Sequence, residues 1–250
     1  MTRSLRFALI APFTLLAMAC SGGSDDSAEG SGAIEGEAIA AIPAPDEGGW
    51  LAETSTTQEG GFVIGNPDAP LKLVEYASHT CGACAQFATS GSRPLQDDYV
   101  STGVVSYEIR PLLRDPLDVT ISTLARCGSP ERFHALADQA WEALPEFGEN
   151  LNSNGAAYEA SMSAPLGQRF VQLAQAAGLI EFFAARGLSE DQARTCLADG
   201  AAIEAMAKQS SEVAAAAEVT GTPTFFLNGK RLDANQWPGV EPILQRAGAR

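Results

Sequence analysis

Basic residues are scarce in this chain: 16 Lys and Arg stand against 31 Asp and Glu, giving a formal net charge of -15. The electrostatic footprint of a nucleic-acid binder is therefore missing, no nucleic-acid partner is expected, and an anionic membrane surface would repel the folded part. Histidine is rarer still, with only His79 and His134, so a histidine-rich metal centre has few ligands to draw on. Long apolar runs are also lacking. The one candidate, Phe7 to Ala19, is too short to span a bilayer comfortably. No internal repeat is evident, and only five cysteines occur in 250 residues. With 45% hydrophobic and 19% charged residues the chain is globular for most of its length, enough for one good core and a second small one.

The N-terminus carries Arg3 and Arg6 ahead of that apolar stretch and reads as an export signal over residues 1–19. Ala17-Met18-Ala19 forms a small-x-small cleavage site directly before Cys20. This arrangement resembles a bacterial lipoprotein signal, which implies acylation of Cys20 and a lipid anchor in a membrane. It departs from that pattern in placing Leu16 four residues before the cysteine, where leucine three before is usual; plain secretion with soluble release is the alternative. Residues 21 to 58 hold eight acids and no Lys or Arg among many Gly, Ser and Ala. Such a segment cannot repay its ordering entropy and reads as a disordered acidic tether over residues 20–58.

The folded domain is expected over residues 59–250. A short strand is predicted near Phe62 to Ile64, a turn at Asn66-Pro67-Asp68, and a strand from Leu71 to Ala77 whose apolar residues suggest burial on both faces. "VVSYEIRPL" from Val104 predicts another strand. Helical spacing then takes over, at Phe133, Leu136, Ala140, Trp141 and Leu144 and again at Ile203, Met206, Val213 and Ala217. Ser189 followed by Gln192 has the form of a capping box, opening a helix that Gly200 would close. Residues 117–200 thus read as an α-helical insertion. Asn228-Gly229 between two extended runs predicts a hairpin, and Pro238 to Arg250 a closing helix. The fold class is α/β, a sandwich interrupted by helices.

Chemistry concentrates in "YASHTCGACAQF", where Cys81 and Cys84 stand three apart as strand gives way to helix. A Cys-x-x-Cys pair alone fits a redox dithiol, half of a metal site or a structural bridge. At a helix N-terminus, however, unpaired N–H groups carry about half a positive charge and favour a thiolate at Cys81. Cys84, one turn further in, can bridge to it while less exposed, so the outer sulfur exchanges and the inner one resolves. His79 makes a His-x-Cys-x-x-Cys cluster, readable as a zinc or copper ligand set, as a partly exposed histidine tuning Cys81, or as a plain surface histidine.

"GNPDAPLKLVEYASHTCGAC", "GTPTFFLNG" and the helical insertion between them resemble the DsbA-like branch of the thioredoxin-fold thiol-disulfide oxidoreductases, over roughly residues 60 to 250. The resemblance implies a thioredoxin-like fold with an α-helical insertion and no cofactor beyond the cysteines. It implies that Glu75, six residues before Cys81, is a buried acid exchanging the proton of Cys84, against the alternative of a charged residue at a sheet margin. It further implies that Pro223 is cis and that the backbone of Thr222 pairs with an extended substrate strand. Strongly oxidising members carry a histidine just before the second cysteine. Gly82 and Ala83 stand here instead, which implies a milder oxidant.

Setting Cys20 aside leaves four cysteines, the dithiol and a second pair, Cys127 and Cys196, either bridged or present as two buried thiols. The expected protein is a periplasmic, lipid-anchored thiol-disulfide oxidoreductase acting as an oxidase on cysteine-containing exported proteins, recycled by a membrane redox partner. Its competitors are a reductase or isomerase fed by a membrane electron donor, and a copper- or zinc-handling protein using the same cysteines.

Overall fold

The computed structural model describes residues 34–249. The expected signal segment, Cys20 and the first part of the expected tether lie outside the described residues.

A six-stranded mixed sheet runs in the order β1-β2-β4-β3-β5-β6, formed by β1 (Thr54–Thr56), β2 (Phe62–Ile64), β3 (Leu71–Ala77), β4 (Val105–Pro111), β5 (Thr224–Leu227) and β6 (Lys230–Arg231). Only β3 and β4 pair in parallel, as a strand–helix–strand crossover requires. β3 lies at the centre, and its register sets Glu75 opposite Ile109 on β4 and Phe225 on β5. Leu71, Leu73, Glu75 and Ala77 are buried on one face, while Tyr76 is buried on the other against Ala214 and Val219.

Between β3 and β4, α1 (Gly82–Phe87) continues into two wider π-helical turns, Ala88–Ser92 and Leu95–Tyr99. Pro94, which has no amide hydrogen to give the helical ladder, lies between them. The insertion follows β4 as α2 (Pro116–Ala125), α3 (Phe133–Glu142), α4 (Leu144–Ser153), α5 (Gly155–Ser163), α6 (Leu166–Ala176), α7 (Leu179–Ala184) and α8 (Glu190–Ala198). Ile121, Leu124, Leu173, Leu179, Ile180, Phe183 and Leu197 are fully buried within it. A disulfide joins Cys127 to Cys196 across 69 residues of chain, with Cα atoms 6.2 Å apart. Chain-entropy reasoning credits such a crosslink with about 4 kcal/mol.

The Ser189 hydroxyl accepts from Gln192 N at the start of α8, as a capping residue does. Gly200 does not close that helix. Asp199 intervenes and caps α9 (Gly200–Ala216) by accepting from Ala202 N at 3.0 Å, so Gly200 is the first residue of the next helix. The turn between β5 and β6 places Asn228 at φ 50° and Gly229 at φ 80°, the backbone that an Asn-Gly hairpin favours. α10 (Trp237–Arg246) ends the fold and buries Trp237, Val240 and Leu244.

Residues 34–58 depart from the expected tether. Ile39 forms a bridge to Ala249, Gly36 N donates to Arg246 O at 2.8 Å, and Ile42 N donates to Thr102 O at 2.8 Å. The Trp50 indole donates to Ile42 O at 2.7 Å and fills the space over Gly103. Apolar side chains are few here, but Ile34, Ile39, Leu51 and Trp50 each reach the core, and the backbone finds partners in the C-terminal strap and in β2. Composition underrated the segment because it counts apolar residues and not the backbone pairing open to them.

Candidate active site

Cys81 is the N-cap residue of α1, with extended φ −91° and ψ 113°, and its sulfur accepts from Cys84 N at 3.4 Å. On the other side Sγ lies 3.3 Å from the carbonyl oxygen of Thr222. The Thr222–Pro223 peptide bond is cis. Cys81 and Cys84 are both free thiols. The Cys81 thiol is lowered to about 5, chiefly because the Cys84 thiol donates to its sulfur, then because of Thr222 and the amides of Cys84 and Ala83, with burial opposing. The Cys84 thiol is pushed up, first by burial, then by its bond to Cys81 and the charge of Glu75. Two sulfurs three residues apart are thus held in opposite protonation states, which gives one nucleophile and one proton-bearing partner.

The expectation of an exposed Cys81 needs correction, since the residue is only 4% exposed. It sits under the 222–223 loop, whose carbonyl it meets. Access remains at the flanks: Gly82 and Gly221 are exposed, and a side chain at either would meet nothing within 4 Å.

His79 is neither exposed nor bonded to a cysteine. Its ring is buried and stacked on Trp141 at 4.8 Å, Nδ1 faces Ser122 Oγ at 3.0 Å and Asp118 at 3.8 Å, and Nε2 has no partner. Its position is set by the insertion. The Asp118 carboxylate accepts from the His79 amide at 2.8 Å, the Ser78 hydroxyl at 2.6 Å and the Arg114 amide at 3.0 Å. The Trp141 indole donates to Ser78 O at 2.9 Å, and Thr80 Oγ1 donates to Asp115 at 2.5 Å. Among the described residues no group of three or more His, Cys, Asp and Glu side chains is arranged to hold a metal ion.

Glu75 lies in the centre of the sheet, not at its margin, and is 1% exposed. Burial pushes its carboxyl up to about 8, with the charges of Asp138 and Cys81 adding to the effect and a hydrogen bond from the Tyr107 hydroxyl opposing it. A carboxylic acid that stays protonated at neutral pH beside a buried thiol can give or take a proton there. Asp118 and Tyr107 went unnoticed in the sequence, and Trp141 shows there only as part of a helical spacing. Asp115-Pro116 with Asp118 three residues on is a helix-start pattern, and Asp115 does cap α2 by accepting from Asp118 N at 2.9 Å. That pattern gave no hint that the second acid turns toward the dithiol loop.

The thioredoxin family profile matches residues 57–246. Over 201 residues the chain is 26% identical to a provisionally named protein-disulfide oxidoreductase of Rickettsia bellii, covering 78% of this chain and 67% of that protein. A similarly named Rickettsia typhi protein is 25% identical over 193 residues, covering 74% of this chain and 61% of the relative. The chain therefore spans about two thirds of the length of these relatives or less. The solved protein-disulfide isomerase of Novosphingobium aromaticivorans superposes with a TM-score of 0.69 at 29% identity, covering 75% of this chain and 97% of that one. Wolbachia pipientis alpha-DsbA1 shares the fold, with a TM-score of 0.59 at 18% identity over 74% of this chain and 90% of its own. The fold is thioredoxin-like with a helical insertion. The chain belongs to the thioredoxin family, and relatives and a solved structure that it resembles carry the names protein-disulfide oxidoreductase and protein-disulfide isomerase.

Because the folded Glu75 value of about 8 lies above its ordinary 4.5, the stability tied to its proton is whole at low pH and is lost as pH rises through 8. Glu75→Gln should therefore match wild type near pH 4.5 and exceed it increasingly toward pH 8, by on the order of a few kcal/mol. Denaturant titration across that range is the measurement, and parallel curves for the two proteins would contradict a buried, protonated Glu75.

Proposed function

We propose that the chain is a disulfide oxidase for cysteine-containing exported proteins, with Cys81 as the exchanging sulfur and Cys84 as the resolving one. The observation that carries this reading is the asymmetry of the dithiol, an outer thiol lowered to about 5 beside an inner one raised by burial. A substrate thiolate attacks Cys81 Sγ, the Cys81–Cys84 bond breaks, and its electron pair leaves on Cys84, which takes a proton. A second substrate thiolate then attacks the substrate sulfur of the mixed disulfide and releases Cys81 as thiolate. Because that released thiolate is stabilised, the reduced protein is favoured and the disulfide oxidises its partner. In this reading the backbone of Thr222, 3.3 Å from the sulfur, pairs with an extended substrate segment. The reading includes a periplasmic location, anchorage through Cys20 and a membrane redox partner that reoxidises the pair.

With no histidine before Cys84, the thiolate is supported by the Cys84 thiol, Thr222 and backbone amides alone. Equilibration with glutathione should give a potential between roughly −270 mV, as in thioredoxin, and −120 mV, as in DsbA. A value at or below the thioredoxin end would move the reading to a reductase. Cys84→Ser should accumulate mixed disulfides on Cys81, and Cys81→Ser should not; trapping by the second variant alone would reverse the assignment.

The anchor has its own check. Mass spectrometry of protein from its native host should find an acyl-modified Cys20 as the mature N-terminus. An unmodified Cys20 in a soluble fraction would contradict anchorage and leave the dithiol assignment standing.

A further inference from the structure

Resolution of the dithiol needs a proton at Cys84, yet Cys84 and Glu75 are each only 1% exposed. Glu75 holds one proton in store, and once that proton has gone to Cys84 a carboxyl raised to about 8 draws another from solvent at neutral pH. Its Oε2 accepts from the hydroxyl of Tyr107, itself 1% exposed and held as a phenol by burial and by the Glu75 charge. Beyond Tyr107 stands α3. The His134 ring lies 5.4 Å from the Tyr107 ring, and Asp138, one turn further along the same helix face, raises the proton affinity of both Glu75 and Tyr107.

His134 and Asp138 line a solvent-open cleft of about 470 Å³, together with Gln96, Arg93, Glu131 and Glu142. That cleft shares no residue with the opening at Gly82 and Gly221. Asp138 accepts from Ser92 Oγ at 2.6 Å and Gln96 Nε2 at 3.4 Å. Burial pushes it up to about 6, with the Glu142 charge adding to the rise, so it picks up and releases protons near neutrality. His134 is held neutral by burial, lowered to about 4, with Nε2 on the carbonyl of Phe62. Two buried polar atoms along this line, Glu75 Oε1 and His134 Nδ1, have no partner in the protein. Buried polar atoms of this kind are where ordered water sits.

We propose that Tyr107 and Asp138 form a water-bridged proton relay joining Glu75 to this cleft, so that Cys84 is supplied with protons through the helical insertion and not through the substrate opening. The relay rests on the dithiol reading above. When the Cys81–Cys84 bond breaks, the Cys84 thiolate takes the proton of the Glu75 acid. The Glu75 carboxylate takes the Tyr107 hydroxyl proton, bridging water returns one to Tyr107 from Asp138, and Asp138 reloads from solvent. Electrons move only between sulfurs, and reversing the redox direction reverses the proton path. The other titratable and charged groups facing the relay are Cys81 and Cys84 from the helix start, His134 and Glu142 on α3 itself, and Arg93, Asp97 and Glu131 across the cleft.

Stopped-flow reduction of the oxidised protein by a cysteine-containing peptide, from pH 4 to 9 in H₂O and D₂O, tests the relay in wild type, Glu75→Gln, Tyr107→Phe and Asp138→Asn. The relay requires both outer variants to be roughly tenfold slower at pH 7, a small part of what a positioned acid contributes. It also requires the wild-type inflection near pH 6 to vanish in Asp138→Asn and the lost rate to return with high concentrations of a small buffer acid. A second readout needs no turnover. The infrared titration of Glu75 should shift down in Asp138→Asn, where a raising charge is removed, and up in Tyr107→Phe, where a lowering hydrogen bond is removed. If Glu75→Gln slows exchange while both outer variants keep the wild-type pH profile and isotope effect, the relay is overturned and Glu75 keeps its role. If wild type does not exchange at all, the relay falls together with the reading it rests on.

Discussion

The Asp118 carboxylate is the contact on which the site depends. Completely buried, it accepts from the Ser78 hydroxyl and from the amides of His79 and Arg114. A buried carboxylate without such donors is strongly unfavourable, so the two backbone segments that satisfy it are held where it needs them. One of those segments is the loop that carries the chain from β3 into α1. The direction in which that loop ends sets Cys81 at the N-cap with its sulfur toward Thr222. Trp141 and Asp115 add hydrogen bonds to the same loop at Ser78 and Thr80. The helical insertion is therefore part of the dithiol site and not an appendage to it.

Placement then becomes electrostatics. A thiolate at a helix terminus faces about half a positive charge and the first unpaired amides. The same geometry puts Cys84 one turn inward, near the acid of β3, where both are only 1% exposed. Burial acts on the two sulfurs in the same sense, but only the outer one has donors to outweigh it. The asymmetry comes from the hydrogen bond between the two thiols and from unequal burial more than from charged side chains, which is why it survives without a histidine between the cysteines.

Most of what local chemistry writes into the chain was readable from the sequence. The strand from Leu71 to Ala77, the helix beginning at Cys81, the Ser189 cap and the Asn228-Gly229 turn each follow from residues within a few positions of one another. Long-range satisfaction was not readable. His79 looked like a surface residue because nothing nearby in sequence announces Trp141 and Ser122, 62 and 43 positions away, as its neighbours. The segment around Trp50 looked disordered because its partners, Gly103 and the strap at 246–249, lie far along the chain. Tyr107 drew no reading of its own within its predicted strand, and its bond to Glu75 exists only once β3 and β4 pair. Gly200 misled for a smaller reason, since an aspartate one position earlier is the better helix start.

The central claim is that this geometry holds Cys81 as a thiolate at neutral pH, and thiolate absorbance near 240 nm measures it directly. Titrating the reduced protein should show one thiolate forming with a midpoint near 5, with Cys84 remaining protonated throughout the neutral range. A first thiolate that appears only at about 8.5, the value of an unperturbed cysteine, would contradict the account.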